Sequence, residues 1–404
     1  MKHPKLRSDI QVIPVMVDGQ QMISFIDPLK LSQGLAMDRS AVFVLQLLDG
    51  THDLLEIQVE MIRRSGGQLI PLSDIEAFIK GLDEALLLES DTFHARKNSI
   101  REAFLCRPDR DPYLAGKSYD QEPRALKRFI QDTEAELPPC EDEQAQQVDG
   151  IIAPHIDINV AKKAYVDLYR RVKGMHFDRV IIFGINHQGG DGLYSISTKH
   201  YQTPFGTLET DVEFVSQLKA RGTHGTFTPD DFDHMSEHSI EFQAIFLHHY
   251  LGHEFRIVPI LCGGIHEFIL GNRDMLRDDR FVSFREALSD LIQKGDLKTL
   301  LVAGVDFSHV GLKFGHSVPA SQLVSRALKD DETLISCLRT CDAKGIFSHA
   351  STTRDQFNVC GLPAMILFSS LLQGCSGRLL MHETYDEQAT QSMVTYASMM
   401  FTRP

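Results

Sequence analysis

The C-terminal two-thirds of the chain alternates short, continuous apolar runs with longer segments in which apolar residues recur every three or four positions. Short apolar runs are typical of strands buried on both faces, and the longer spacing is typical of helices packed against them. The predicted strands are Gly150–Ala153, Arg179–Gly184, Arg256–Leu261 and Thr299–Val305. The predicted helices lie near Ala161–Val172, Asp211–Ala220, Glu241–Tyr250, Phe281–Lys294 and Ser321–Cys337. This order predicts an α/β fold, a mostly parallel sheet with helices on both faces.

The N-terminal part of the chain has a different pattern, which predicts a separate small domain over residues 1–97. Gln20–Ile26 has the composition of a short strand. The helical segments that follow are Ser40–Leu48, Asp53–Arg64 and one that starts at Ser73. Three short helices in this order predict a winged-helix-like domain. Residues 98–111, with mixed charge and prolines, predict a linker, which leaves 112–404 for the α/β domain.

Charge and composition limit the classes of function. The formal net charge of the 404 residues is −14, which argues against a nucleic-acid surface, because phosphate binding depends on Lys and Arg. The longest apolar runs are too short to span a bilayer, so no membrane partner is expected. The seven cysteines have no CxxC spacing, and no secretory segment opens the sequence. These features predict reduced thiols and a cytoplasmic protein.

Two of the predicted strands are followed directly by a histidine. His155 comes after Pro154 at the end of the first strand, and His187 follows the second strand in a glycine-containing turn. The carboxyl ends of parallel strands meet at one edge of a sheet, where ligands collect. A single histidine there is more often a structural residue held by hydrogen bonds. Its repetition on a second strand favours a metal site with two imidazole ligands.

A second group of candidates lies in the segment Ser236–Gln243. The pattern predicts that a helix opens here, with Ser236 as its N-cap and Glu237 in the first turn, where the helix dipole favours a carboxylate. His238, beside Glu237, is a candidate acid/base group or a partner of a metal ligand. The alternative is a charged helix start without a catalytic role.

A third group follows the last predicted strand. Asp306 and His309 are three residues apart, so a turn would place them on one side, where the carboxylate could orient the imidazole for proton transfer. Ser308 is a weaker candidate nucleophile, because no GxSxG motif surrounds it.

Cys360 is the cysteine with the most suggestive setting. Gly361 and Pro363 fix a turn after it, and a helix is predicted to follow. Near a helix N-terminus its pKa would be lowered, which favours a thiolate ligand or nucleophile. The alternative is a buried, inert cysteine.

Six short motifs, taken in order, resemble the Memo family. They are Ala153-Pro154-His155, Gly184–His187, Thr203–Asp211, Glu237–Glu241, Asp306–His309 and Cys360-Gly361. The resemblance covers roughly residues 112–402, and Tyr113–Tyr119 is similar to the family's opening segment. The family includes bacterial and archaeal members called AmmeMemoRadiSam system protein B. It is similar in fold to class III extradiol dioxygenases, which use non-haem Fe(II).

The resemblance implies a metal site and the roles of its residues. The metal ligands are expected to be His155, His187 and Cys360, with His309, steadied by Asp306, as the acid/base residue. The further candidate catalytic residues are His238 and Glu237. Extradiol enzymes have a carboxylate where Cys360 stands, and a thiolate favours copper or zinc more than a carboxylate does. The expected cofactor is therefore iron or copper, with zinc as a third choice.

Three functions follow as hypotheses from these residues. The leading one is a metal-dependent redox or oxygenase-type enzyme, and its main alternative is a non-catalytic module that binds a peptide or small molecule in a dioxygenase-like pocket. The third is a hydrolase with metal-bound water as nucleophile. Around Leu47–Thr51 the N-terminal domain resembles the PqqD-like domains that hold peptides for modifying enzymes. The family name implies a radical-SAM protein and an AMMECR1-like protein as partners.

Overall fold

The chain is described by a computed structural model over residues 1–27, 29, 31–32, 35–140 and 147–403. Two units can be distinguished by their internal contacts. The first is Met1–Cys106 with Gln388–Gln391, and the second is Arg107–Glu387 with Ser392–Pro404. Among the described residues, no helix has both the length and the apolar composition needed to cross a bilayer.

The first unit is built from three antiparallel strands and four helices within its described residues. The strands are β1 (Gln11–Val17), β2 (Gln20–Ile26) and β3 (Ala36–Asp38), in the order β1-β2-β3. The helices are α1 (Ala41–Gln46), α2 (Leu54–Arg64), α3 (Leu72–Glu84) and α4 (Asp91–Leu105). The predicted strand and three helices are present, whereas β1, β3 and α4 were not predicted. A winged-helix-like arrangement stays a prediction.

The second unit contains the other elements. Its strands are β4 (Asp109–Arg110), β5 (Val148–Ala153), β6 (Arg179–Ile185), β7 (Tyr194–Ile196), β8 (His200–Thr203), β9 (Gly206–Leu208), β10 (Arg256–Cys262), β11 (Thr299–Gly304), β12 (His309–Gly311), β13 (Ser376–Glu387) and β14 (Ser392–Thr402). Its helices are α5 (Pro123–Ala135), α6 (Ile158–Arg170), α7 (Val212–Lys219), α8 (Glu241–Leu251), α9 (His266–Leu270), α10 (Asp279–Gln293), α11 (Val324–Arg339), α12 (Ala343–Thr353) and α13 (Leu362–Leu371).

One large sheet organises this unit, in the order β12-β14-β5-β11-β6-β10-β7, with β13 paired to β14. The four central strands, β5, β11, β6 and β10, run parallel to one another. These are the four strands that the apolar runs predict. The antiparallel hairpin of β13 and β14 was not predicted, because Ser, Thr and Ala interrupt the apolar pattern of β14 even though the strand is buried almost throughout.

The central strands are buried on both faces. Along β6, Ile181 and Phe183 pack into one apolar core, whereas Val180 and Ile182 pack into another. Successive side chains of a strand point to opposite faces, so the two cores lie on opposite sides of the sheet. Residues of α7 and α9 to α13 contribute to the first core, and residues of α5, α6 and α8 to the second. The predicted α/β architecture, with helices on both faces, is confirmed.

Residues 98–111, predicted to be a linker, contain regular structure. The C-terminal turns of α4 lie there, and β4 pairs in parallel with β8, so that Arg110 is opposite Tyr201. With β9, these strands form a second, three-stranded sheet. The domain limits at residues 97 and 111 stay predictions.

Candidate functional site

Three residues singled out in the sequence occupy equivalent positions, each two residues beyond the C-terminal end of a central strand. His155 follows β5, His187 follows β6 and Asp306 follows β11. Because these strands run parallel, their C-terminal ends lie at one edge of the sheet. The ring centroids of His155 and His187 are 5.0 Å apart. The topology therefore brings two distant histidines of the sequence together.

A third histidine, His238, completes a cluster of imidazoles. Its ring centroid lies 5.3 Å from that of His155 and 5.1 Å from that of His187. One ligand nitrogen from each ring lies within 4.8 Å of the other two, so the three could hold one metal ion. His155 is buried, whereas the side chains of His187 and His238 are 35% and 25% exposed. The cluster is therefore accessible from the side of His187 and His238.

Glu237 contacts two of these imidazoles with one carboxylate. Its Oε2 accepts a hydrogen bond from Nδ1 of His187 at 3.0 Å, and its Oε1 lies 3.0 Å from Nδ1 of His238. At His187 the carboxylate holds the proton on Nδ1 and leaves the lone pair on Nε2, as is common in metal-binding histidines. Burial alone would raise the pKa of Glu237, but the two neighbouring imidazoles outweigh burial and hold the pKa well below its ordinary value.

The segment around Glu237 does not open a helix, contrary to the prediction. Helix α8 begins at Glu241, and Ser236 directly follows a short turn at Phe232–Met235 instead of capping α8. Oε1 of Glu237 accepts the backbone N–H groups of the two residues that follow it, at 2.7 and 3.1 Å. Such side-chain bonds satisfy the backbone without helical bonds. The carboxylate thus shapes its own loop as well as orienting the imidazoles.

Two strand glycines allow this loop to lie close to the sheet. A Cβ atom at Gly304 would come 2.4 Å from the carbonyl oxygen of Ser239, and one at Gly184 would come 2.5 Å from the Ser239 hydroxyl. Any side chain at either position would push the loop away. Close approach of the loop that carries Glu237 therefore requires these glycines.

His155 is held at both its ring and its backbone. Its Nδ1 donates to the carbonyl of Gly304 at 2.9 Å, and its backbone N–H donates to Oδ1 of Asp306 at 2.9 Å. Burial lowers the pKa of His155 to about 4, despite the opposing effect of the Asp306 carboxylate. The ring is therefore neutral at pH 7, with its lone pair on Nε2. A neutral imidazole with a fixed Nδ1–H is the form that binds transition metals.

Cys360 lies against His155. Its Sγ is 3.4 Å from Nε2 of His155 and 3.8 Å from the carbonyl oxygen of Asp306. The preceding turn includes Asn358, in the left-handed region with φ 51°, whose Nδ2 donates to the carbonyl of His309 at 3.2 Å. The turn therefore ties the thiol to the strand that carries His309.

The acidity of Cys360 differs from the prediction. The residue comes just before α13, and a helix N-terminus would lower its pKa. Burial instead raises the pKa of Cys360 well above its ordinary value, and the negative charges of Asp306 and Glu237 act in the same direction. Without a metal, Cys360 is a neutral thiol at pH 7, and metal binding would have to release its proton.

His309 also lies at this edge, but its contacts differ from those predicted. Its Nδ1 donates to the carbonyl of Phe307 at 2.9 Å. Among the described residues, no hydrogen bond joins Asp306 to His309, because Asp306 accepts from the backbone of His155 instead. Burial lowers the pKa of His309, and the Asp306 charge offsets only part of this effect. A neutral His309 can accept a proton at pH 7.

Ser308 is not arranged as a nucleophile. Its hydroxyl donates to Oδ1 of Asp331 at 2.6 Å, and Oδ2 of the same carboxylate is 3.0 Å from Nε2 of His382. The carboxylate thus stands between the serine and the histidine. An activated serine needs its base in direct contact with the hydroxyl. The three residues form a buried structural network.

Comparisons with known proteins place the chain in a family. A family model described as Memo-like protein matches residues 110–400. A MEMO1 family protein of Aquifex aeolicus is 30% identical over 380 residues, which covers 93% of this chain and 94% of that protein. A MEMO1 family protein of Methanopyrus kandleri is 27% identical over 308 residues, 73% of this chain and 99% of its own length. The chain therefore belongs to the Memo family, as the six motifs predict.

These matches differ in how much of this chain they cover. The match to the Methanopyrus protein uses nearly all of that protein but only 73% of this chain. The match to the Aquifex protein covers 93% of this chain, well beyond residues 110–400. A relative from Thermus thermophilus, 28% identical over 343 residues, covers 84% of this chain and 96% of its own length. Because only four residues follow residue 400, the Aquifex match must extend into the residues before 110.

Proposed function

We propose that this protein binds a redox-active metal ion, iron or copper, at the histidine cluster and acts as an oxidoreductase on a small-molecule substrate. The observation that carries the proposal is the convergence of three imidazoles, with ligand nitrogens within 4.8 Å of one another. Imidazole ligands suit iron, copper and zinc, whereas magnesium and calcium prefer oxygen ligands. The nitrogen-rich cluster therefore favours a transition metal.

The proposed ligands are His155, His187 and Cys360, with His238 as an adjacent imidazole. Support for the thiol comes from its position, 3.4 Å from Nε2 of His155. Support for the imidazoles comes from Gly304 and Glu237, which hold the Nδ1 protons. When bound, the metal would supply electron transfer and polarisation of a coordinated substrate. Three protein ligands would leave positions for that substrate.

His309 is the proposed acid/base residue. Its Nδ1 is engaged by the Phe307 carbonyl, so its Nε2 carries the lone pair. Because burial lowers its pKa, the imidazole is neutral at pH 7 and is able to take a proton from a bound substrate. The substrate is expected to approach from the exposed side of His187 and His238.

Metal analysis of matched variants tests the binding site. Wild-type protein, His155→Ala and Cys360→Ser are loaded anaerobically with Fe(II) or Cu(I), dialysed and analysed by mass spectrometry of the metal. The controls are His224→Ala and Cys106→Ser, which change exposed residues of the same types. We expect stoichiometric metal in the wild type and controls and a large loss in both site variants. Equal metal content in every protein would refute the proposed site.

Oxygen uptake separates the enzyme from its alternative. Iron-loaded wild-type protein is mixed with catechol-like substrates in an oxygen electrode, and His309→Gln is measured beside it. The proposal expects substrate-dependent uptake that falls in His309→Gln while the bound metal is retained. A metal-loaded protein that consumes no oxygen would instead support a non-catalytic module that binds a peptide or small ligand.

A further inference from the structure

Arg110 is a buried cation outside the histidine cluster. Its side chain is 0% exposed, and its guanidinium lies 5.1 Å from the centroid of the Tyr201 ring. A charge removed from water is costly unless it is paired and hydrogen-bonded. The partners of Arg110 therefore determine why a charge is tolerated there.

The guanidinium makes two hydrogen bonds and one ion pair. Nε donates to the carbonyl of His234 at 3.0 Å and Nη2 to the carbonyl of Glu237 at 2.7 Å. Nη1 is 2.5 Å from Oε2 of Glu241. The two carbonyls belong to the first and last residues of the stretch 234–237. A planar group with several fixed donors can make all three contacts at once, whereas a lysine ammonium is a single point charge.

Glu241 is itself held by a separate segment. Its Oε1 accepts the backbone N–H of Leu114 at 2.8 Å and the hydroxyl of Tyr119 at 2.5 Å. Its Oε2 accepts the backbone N–H of Tyr113 at 3.1 Å. The carboxylate thus accepts three hydrogen bonds in addition to its ion pair with Arg110. The guanidinium connects this carboxylate to the loop that ends at Glu237.

We infer that Arg110 is a positioning residue for the metal site, acting through the backbone of Glu237. The Glu237 carbonyl is bound by Arg110, and the Glu237 carboxylate orients His187 and contacts His238. Displacement of this loop would therefore move the group that fixes the imidazoles. The expected effect of Arg110 on metal binding rests on the proposed function.

The first test is the substitution Arg110→Lys, which keeps the charge and loses the three-way contact. We expect its affinity for Fe(II) or Cu(I), measured by chelator competition, to fall about tenfold, the lower end of the range for residues that support metal ligands. The matched control is Arg179→Lys. Arg179 is also buried and ion-paired, 2.8 Å from Asp211. The control is expected to keep the wild-type affinity.

Two readouts distinguish positioning from a general loss of structure. Arg110→Ala leaves a cavity of guanidinium shape, and low millimolar guanidinium is expected to restore much of its metal affinity. Nitrogen-15 NMR of the imidazoles in metal-free protein reports the tautomer of His187. We expect the Nδ1–H form to predominate in the wild type and in Arg179→Lys, and to be reduced in Arg110→Lys.

The outcomes separate this inference from the function on which it rests. If wild-type protein binds metal and Arg110→Lys binds it equally, with the His187 tautomer unchanged, the inference is overturned and the proposed function stands. An equal loss of affinity in Arg179→Lys would also overturn it. If wild-type protein binds no metal, the proposed function fails and the tautomer of His187 decides the inference alone.

Discussion

Each of the two units buries an arginine completely, and the two arginines have different surroundings. In the N-terminal unit, Arg7 is ion-paired with Asp9 at 2.8 Å and with Asp27 at 2.6 Å, and it donates to the carbonyl of Leu86 at 2.8 Å. In the α/β unit, Arg110 pairs with one carboxylate and uses its other donors on backbone carbonyls. Both arginines are buried, ion-paired and bonded to backbone carbonyls. The loops that they bind carry different groups.

The loop bound by Arg7 serves the fold. Oxygens of Asp27 accept the backbone N–H groups of Leu29, Leu31 and Ser32, so the carboxylate that pairs with Arg7 also holds these backbone groups. The loop bound by Arg110 carries Glu237, whose carboxylate contacts two imidazoles. A buried ion pair therefore does not identify a functional site by itself. Whether such an ion pair supports a functional site depends on the groups that its partner residues hold in place.

Of the variants that test this comparison, Arg7→Met is expected to cause the largest loss of free energy. Removal of the cation leaves the Asp27 carboxylate buried without its counter-ion, which costs about 3–5 kcal/mol for such pairs. Hydrogen exchange should show that loss in the opening free energy of the N-terminal unit, with metal content unchanged. The control Arg63→Met removes an arginine that is 72% exposed and paired with Glu60, so it should cost less than about 1 kcal/mol. A loss of bound metal in Arg7→Met would contradict the conclusion that the loop bound by Arg7 serves only the fold.

A smaller effect is expected from Glu237→Gln, which keeps the shape of the side chain. The carboxylate accepts hydrogen bonds through both of its oxygens, whereas an amide has only one acceptor oxygen. We expect metal affinity to fall about 10–100-fold, or about 1.4–2.7 kcal/mol. The control is Glu213→Gln, an exposed change on α7. Chelator competition that gave equal affinities for the two variants would show that Glu237 does not support the ligands.

The smallest expected effect is the contribution of Asp27 to the acid sensitivity of the N-terminal unit's stability. Burial alone would raise its pKa, but hydrogen bonds from Arg7 and Ser32 outweigh burial, and the pKa lies below its ordinary value. A depressed folded-state pKa stabilises the unit above the unfolded value of about 4, and this stabilisation is lost as the pH falls further. Hydrogen exchange of the N-terminal unit should therefore show less acid sensitivity below about pH 4 in Asp27→Asn than in the wild type. Identical profiles would contradict the role of this pair.

The sequence predicts the central sheet well because its strands are continuous apolar runs. The predicted Arg179–Gly184 and Arg256–Leu261 differ from the observed strands by one residue at the C-terminal end. The same runs place His155 and His187 at one edge, since parallel strands end together. Strands buried on both faces can be recognised in the sequence as continuous apolar runs. The positions of both histidines follow from the ends of those runs.

Other features depend on side-chain contacts that the pattern of apolar and polar residues does not reveal. Glu237 shapes its loop by accepting nearby amides, which a helix-start pattern does not reveal. Arg110 was predicted to lie in a linker, yet its partners are more than 120 positions away. Asp306 is near His309 in sequence, but it binds the backbone of His155 across the sheet edge. Its hydrogen bond therefore goes to a residue distant in sequence, and only its charge acts on His309.

The most direct test of the metal site is a crystal structure of protein loaded anaerobically with iron or copper, with anomalous scattering recorded at the metal edge. We expect one strong anomalous peak bounded by His155, His187 and Cys360, at about 2.0–2.3 Å from their ligand atoms, as for metals bound by nitrogen and sulfur. A peak elsewhere in the molecule, or no peak near these side chains in a metal-loaded crystal, would contradict the proposed metal site.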